Sequence, residues 1–79
     1  MRLTYDSRYN VAYLKLSEKT SEVETIRISD QLNVDLTPEG KIFGIELLNA
    51  NDQLSGVDGG VLEVINEALG DSQKIALSK

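Results

Sequence analysis

The chain has no cysteine, no histidine and no tryptophan, and it contains one proline in 79 residues. Without cysteine no disulfide can staple the fold. Without cysteine or histidine, a zinc site of the usual nitrogen and sulfur donors cannot form within one chain. The same absence removes Ser-His and Cys-His nucleophile pairs, so the remaining acid and base groups are carboxylates, tyrosines and lysines. No stretch approaches the ~20 apolar residues of a membrane helix, and Met1-Arg2-Leu3-Thr4-Tyr5-Asp6 lacks the apolar run of a signal peptide. A chain of this size forms one domain, residues 1–79, and buries only ~60–65% of the surface it exposes when unfolded. With disulfides and such a metal site excluded, association with another chain is the remaining means of support. The expectation is a cytoplasmic protein with no cofactor, no membrane contact and no metal.

Charge is also missing in one place. Residues 1–41 hold seven acids and six bases, whereas residues 42–73 hold six acids and no base. Lys74 and Lys79 bring the net charge to −5. An acidic back half repels phosphate backbones and anionic lipid, which argues against nucleic acid as a partner. It suits a basic protein partner, and it also keeps a small domain soluble.

What the sequence does have is alternation. Leu3 and Tyr5 alternate with polar neighbours, and Ala12, Leu14 and Leu16 do so after the turn formers Asp6 to Asn10. Residues 17–22 are a polar connector, and residues 23–28 alternate less cleanly, which suits an edge strand. Leu32, Val34 and Leu36 follow, then Thr37-Pro38-Glu39-Gly40-Lys41, where proline and glycine fit a bulged hairpin loop. Residues 42–48 place Phe43, Ile45 and Leu47 on one side and Ile42, Gly44, Glu46 and Leu48 on the other. Residues 1–48 are thus expected to form an antiparallel β-meander of about five strands.

Residues 49–60 read as a loop or a short helical turn. From Val61 the spacing of Val61, Leu62, Ile65, Ala68 and Leu69 predicts a helix over 61–69, with Asp58 as N-cap and Gly70 as its stop. A short strand is expected at 74–77. The fold class is then α+β, with one C-terminal helix packed on one sheet face. That face would carry Leu14, Leu16, Ile26, Ile28, Leu32, Val34, Leu36, Phe43, Ile45 and Leu47. The uncovered face would carry Val11, Tyr13, Asp35, Ile42, Glu46 and Leu48, and those six residues are the candidate interface of a homodimer.

Few residues suggest chemistry. Asp6 and Asn10 flank a loop but lack the dense spacing of a calcium site and suit turn stabilisation. Asp35 and Glu46 share the uncovered face, where a close carboxylate pair would serve an enzyme or a small-ligand site as acid and base. Gly56, Gly59 and Gly60 before a helix evoke a phosphate cradle, but no Walker lysine follows and Asp58 would repel an anion. Tyr5, Tyr9, Tyr13 and Phe43 are not interleaved with bases as in a single-strand nucleic-acid platform.

Two stretches carry a family resemblance. Tyr5-Asp6, Asn10 and Ala12-Tyr13-Leu14-Lys15-Leu16 form one. Leu32-Asn33-Val34-Asp35, Gly40 and Gly44-Ile45-Glu46-Leu47-Leu48-Asn49-Ala50 form the other. Together they resemble domain-of-unknown-function family 2283, a family of small uncharacterised bacterial proteins, over about residues 3 to 50. Asn10 stands where such proteins commonly have aspartate. The resemblance implies no activity. It implies an antitoxin-like binding role, because some relatives are encoded beside small toxin-like proteins. The expected function is a non-catalytic, self-associating interaction module with a basic protein partner.

Overall fold

The computed structural model describes residues 1–18, 22–56 and 59–77. Seven strands and one helix run in the order β1 (Arg2–Asp6), β2 (Val11–Lys15), β3 (Glu24–Ser29), β4 (Leu32–Leu36), β5 (Ile42–Leu48), α1 (Ala50–Ser55), β6 (Val61–Asn66) and β7 (Asp71–Ala76). The first five strands form one antiparallel sheet, and β6 and β7 form a separate two-stranded sheet.

The five-stranded sheet is not a simple meander. Its order is β1-β2-β5-β4-β3, so β5 returns between β2 and β4 and leaves β3 at an edge. The edge position of β3 follows its mixed alternation, and every residue of it is exposed. The Thr37–Lys41 turn forms as its chemistry predicts. Gly40 adopts φ 86° and donates to the Thr37 carbonyl at 2.9 Å, while Lys41 N donates to Thr37 Oγ1 at 3.1 Å. A second irregularity lies opposite, where Leu36 pairs with Ile42 after Asp35 has paired with Gly44.

The C-terminal third departs most from the sequence reading. The helix expected over 61–69 is strand β6 followed by a turn, and the strand expected at 74–77 is the longer β7. Val61, Val64 and Ile65 are β-branched and favour an extended chain. Gly70, read as a helix stop, sits instead at φ 72° in the hairpin turn and donates to the Asn66 carbonyl at 2.9 Å. The expected loop at 49–60 contains the only helix among the described residues, and Asp58 lies outside those residues.

That helix has six residues, too few to hold itself together in water. Ties from outside hold it. Among the described residues, Asn10 and Asn49 are the two non-glycine residues with left-handed backbones, at φ 62° and 56°. Asn10 O accepts from Ala50 N at 3.1 Å and its Oδ1 from Asn51 N at 2.7 Å. Asn10 Nδ2 donates to Asn49 Oδ1 at 3.3 Å. Tyr5 donates its hydroxyl to Asn51 Oδ1 at 2.7 Å, and Asn51 Nδ2 donates to the Ser7 carbonyl at 3.2 Å. Gln53 Nε2 reaches the carbonyls of Leu48 and Gln31 at 2.6 and 3.0 Å. These bonds latch α1 to the β1–β2 loop and the β3–β4 turn.

The register puts Leu3, Tyr5, Ala12, Leu14, Leu32, Val34, Ile26, Ile45 and Leu47 on one face. Tyr5 reaches Asn51 from this face, so α1 lies over its Ala12 end, and Ala12 is 2% exposed. The rest of the face has no such cover. Among the described residues the only buried hydrophobic side chains are Ala12 and Ala50.

Asn10 tests the latch. Asn10→Gly and Asn10→Ala both lose its side-chain bonds, but only alanine places a Cβ in the left-handed region. Urea unfolding is expected to show Asn10→Ala less stable than Asn10→Gly by about 1 kcal/mol. Equal stabilities would mean that φ at this position does not matter.

Candidate functional site

Five of the six expected interface residues share the face opposite Ala12. Val11 pairs with Leu48, and Tyr13 pairs with Glu46, which in turn pairs with Asn33. Asp35 and Gly44 are partners one step along the same face. Ile42 departs from this set, because the register shift pairs it with Leu36.

Tyr13 is the centre of this face. Its ring crosses Gly44, where a Cβ would collide with the ring and its hydroxyl. Only glycine leaves this passage open. The phenol passes over it and donates to Asp35 Oδ2 at 2.6 Å. Thr25 donates its hydroxyl to the other oxygen, Asp35 Oδ1, at 2.5 Å. Asn33 Nδ2 donates to Glu46 Oε1 at 2.9 Å. Two sets of polar bonds thus lie side by side on this face, one joining β2, β3 and β4 and the other joining β4 to β5.

Burial of the phenol, then the hydrogen bond and charge of Asp35 and the charge of Glu46, push the Tyr13 pKa up to about 12. Tyr13 therefore keeps its proton at neutral pH and acts as a donor. Both Asp35 oxygens already accept a bond, so the arrangement ties strands together. The sequence places Asp35 and Glu46 on one face; it does not reveal that a tyrosine reaches Asp35 across a glycine.

The other sequence candidates are also occupied locally. Asp6 accepts from Arg8 Nε at 3.0 Å and Arg8 Nη2 at 2.9 Å, which holds its carboxyl below the usual range. Asn10 serves the latch. Gly56, Gly59 and Gly60 precede a strand, so no helix N-terminus follows them to cradle a phosphate. Among the described residues no helix is long and apolar enough to cross a membrane.

Shallow clefts lie elsewhere among the described residues. One of about 190 Å³ is lined by Glu22, Val23, Glu24, Leu36, Thr37 and Pro38. Another of about 430 Å³ runs along the β6–β7 hairpin beside Val64, Asn66, Asp71, Ser72 and Gln73.

The apolar face forms, but the cover expected for it does not. It was expected to lie under a helix at 61–69, and that segment is a strand and turn. Leu16 and Ile26 stand 39% and 38% exposed, while Ile28, expected on the same face, falls in the register shift between Arg27 and Ser29 and has no partner on β4. The signal that could have exposed this was the β-branched content of 61–65, weighed against its helical spacing.

A protein-family model described as "Protein of unknown function (DUF2283)" matches residues 2–51. The match spans the five-stranded sheet and stops at Asn51, the second residue of α1. Neither the curated proteins nor the solved structures contain a match.

Two experiments probe the Tyr13 network. Free tyrosine ionises near pH 10. The folded state holds the Tyr13 proton up to about 12. Its stabilising contribution is therefore intact below about pH 10 and is lost as pH rises towards 12. An ultraviolet titration is expected to show a late-ionising tyrosine that disappears in Tyr13→Phe. Gly44→Ala is expected to cost about 1–3 kcal/mol in thermal or urea unfolding, from overpacking against the ring. Combining it with Tyr13→Ala should cost less than the two single changes added together, because they share one contact.

Proposed function

The chain belongs to this family of unknown function, so membership brings no activity with it, and we propose that it is a non-catalytic protein-interaction module that self-associates. The observation that carries the reading is how little of the described apolar surface is fully buried. Ala12 and Ala50 are the only buried hydrophobic side chains among the described residues, although 41% of the chain is hydrophobic.

An open apolar sheet face is a standing cost in water. Covering a half-exposed isoleucine or leucine contributes about 1 kcal/mol, part of the ~1.5–3 kcal/mol of full burial. Leu16 and Ile26 both offer that gain, and the half-buried residues between them add to it. A second copy offers the same face under two-fold symmetry and so closes the assembly. The Tyr13 face is the weaker candidate for this contact, because its polar groups already bond one another.

The acid-rich stretch supports a second contact. With no base from residue 42 to 73, a basic protein is the complementary partner, and an antitoxin-like role is its concrete form.

Sedimentation of the purified chain is expected to give a dimer at micromolar concentration. A monomer persisting to about 100 μM, where even weak specific pairs form, would remove the reading. A basic partner recovered from native extract at low salt, and released by salt, would support the second contact. Its absence at low salt would count against that part alone.

A further inference from the structure

The β6–β7 hairpin is a free-standing arm. It pairs with no strand of the five-stranded sheet, and every residue in its strands except Val61 is exposed. Hairpins of two strands are marginal in water unless something packs on them. This one has an apolar side. Leu62 pairs with Ile75 and Val64 with Gln73, so Leu62, Val64 and Ile75 line one face. Val64 and Ile75 are 49% and 43% exposed. The molecule is correspondingly spread, with extents of 35 × 34 × 18 Å and a radius of gyration of 14.0 Å. A compact chain of this length would have about 12 Å.

The sheet has the matching deficit. Helix α1 covers the Ala12 end of the apolar face, and Ile26 on β4's outer neighbour β3 remains open. Six extended residues span about 20 Å, and two paired strands with their side chains span about 10 Å across. The arm strands have six residues each, and the sheet strands have five to seven. An arm therefore has the length of a sheet strand and the width of two of them, and it fits the part of the face around Ile26.

Resting on the self-association reading, we propose that two copies exchange arms: the β6–β7 hairpin of each lies on the apolar sheet face of the other, with Leu62, Val64 and Ile75 against the Ile26 side. Each chain has one arm and one open face, so two copies satisfy both deficits and leave none over. Glycines mark the described residues that lead into the arm. Gly56, Gly59 and Gly60 all hold left-handed φ, at 49°, 68° and 89°. Leu77 N donates to Gly60 O at 2.7 Å and closes the arm at its base.

The absence of cysteine makes the test free of background. Val64→Cys and Ile26→Cys chains are purified separately, mixed, equilibrated and oxidised. The mixed disulfide is expected to exceed the half share that random pairing gives. In parallel, Val64→Lys and the milder strand former Val64→Thr are compared with the unaltered chain by sedimentation, with circular dichroism confirming the fold. Lysine is expected to weaken the dimer at least ~tenfold and threonine less. A dimer indifferent to both variants, with random cross-linking, overturns arm exchange and leaves self-association through the sheet standing. An unaltered chain that is monomeric overturns both. A disulfide within one chain, in the double variant at low concentration, means that the arm closes on its own sheet and also overturns the exchange.

Discussion

Strand β5 is hydrogen-bonded along both edges, to β2 and to β4, and the other features depend on its register. Its alternation sends Phe43, Ile45 and Leu47 one way and Gly44, Glu46 and Leu48 the other. A slip of one residue would exchange these sets. Gly44 would no longer lie beneath Tyr13, and the phenol could not cross to Asp35. Leu48 would no longer end the strand where its carbonyl accepts from Gln53. The polar bonds on one face and the latch at the sheet's end both depend on this central strand.

The sequence is most legible where local chemistry decides. The alternation of Leu3 to Leu48 marks the five strands, and Pro38 and Gly40 mark the turn before β5. Pairing between β2 and β5 is not legible, because nothing local to either strand names a partner 29 to 37 residues away. The segment from Val61 to Leu69 shows the same limit in a sharper form. Its apolar residues fit a helical stripe, and they also fit a strand facing Asp71–Ala76. Gly70 suits the end of either element. The partner strand decides between them, and that information is not in the segment itself.

The candidate site was half legible for the same reason. Alternation alone put Val11, Tyr13, Asp35, Glu46 and Leu48 on one face. It could not show that Tyr13 bonds diagonally to Asp35 through the gap left by a glycine. Nor could it show which face stays open, because that depended on the misread helix. The family signature is easier to understand with the latch in view: Tyr5, Asn10, Asn49 and Ala50 lie far apart in sequence and meet at one end of the sheet. The family match covers these residues and ends before the glycine-rich link and the arm.

The strand order also has a kinetic side. The β1–β2 hairpin and the β3–β4–β5 unit each close through short turns, which form within microseconds. Their union is different in kind: Leu14 must find Ile45 across the whole intervening chain, and the loop-closure entropy of that search opposes it until the ladder is in place. The pairing of β2 with β5 is therefore the step of folding with the largest loop-closure cost. The latch between Asn10 and α1 sits at the end of that ladder, where it stabilises the joined state and neither piece alone.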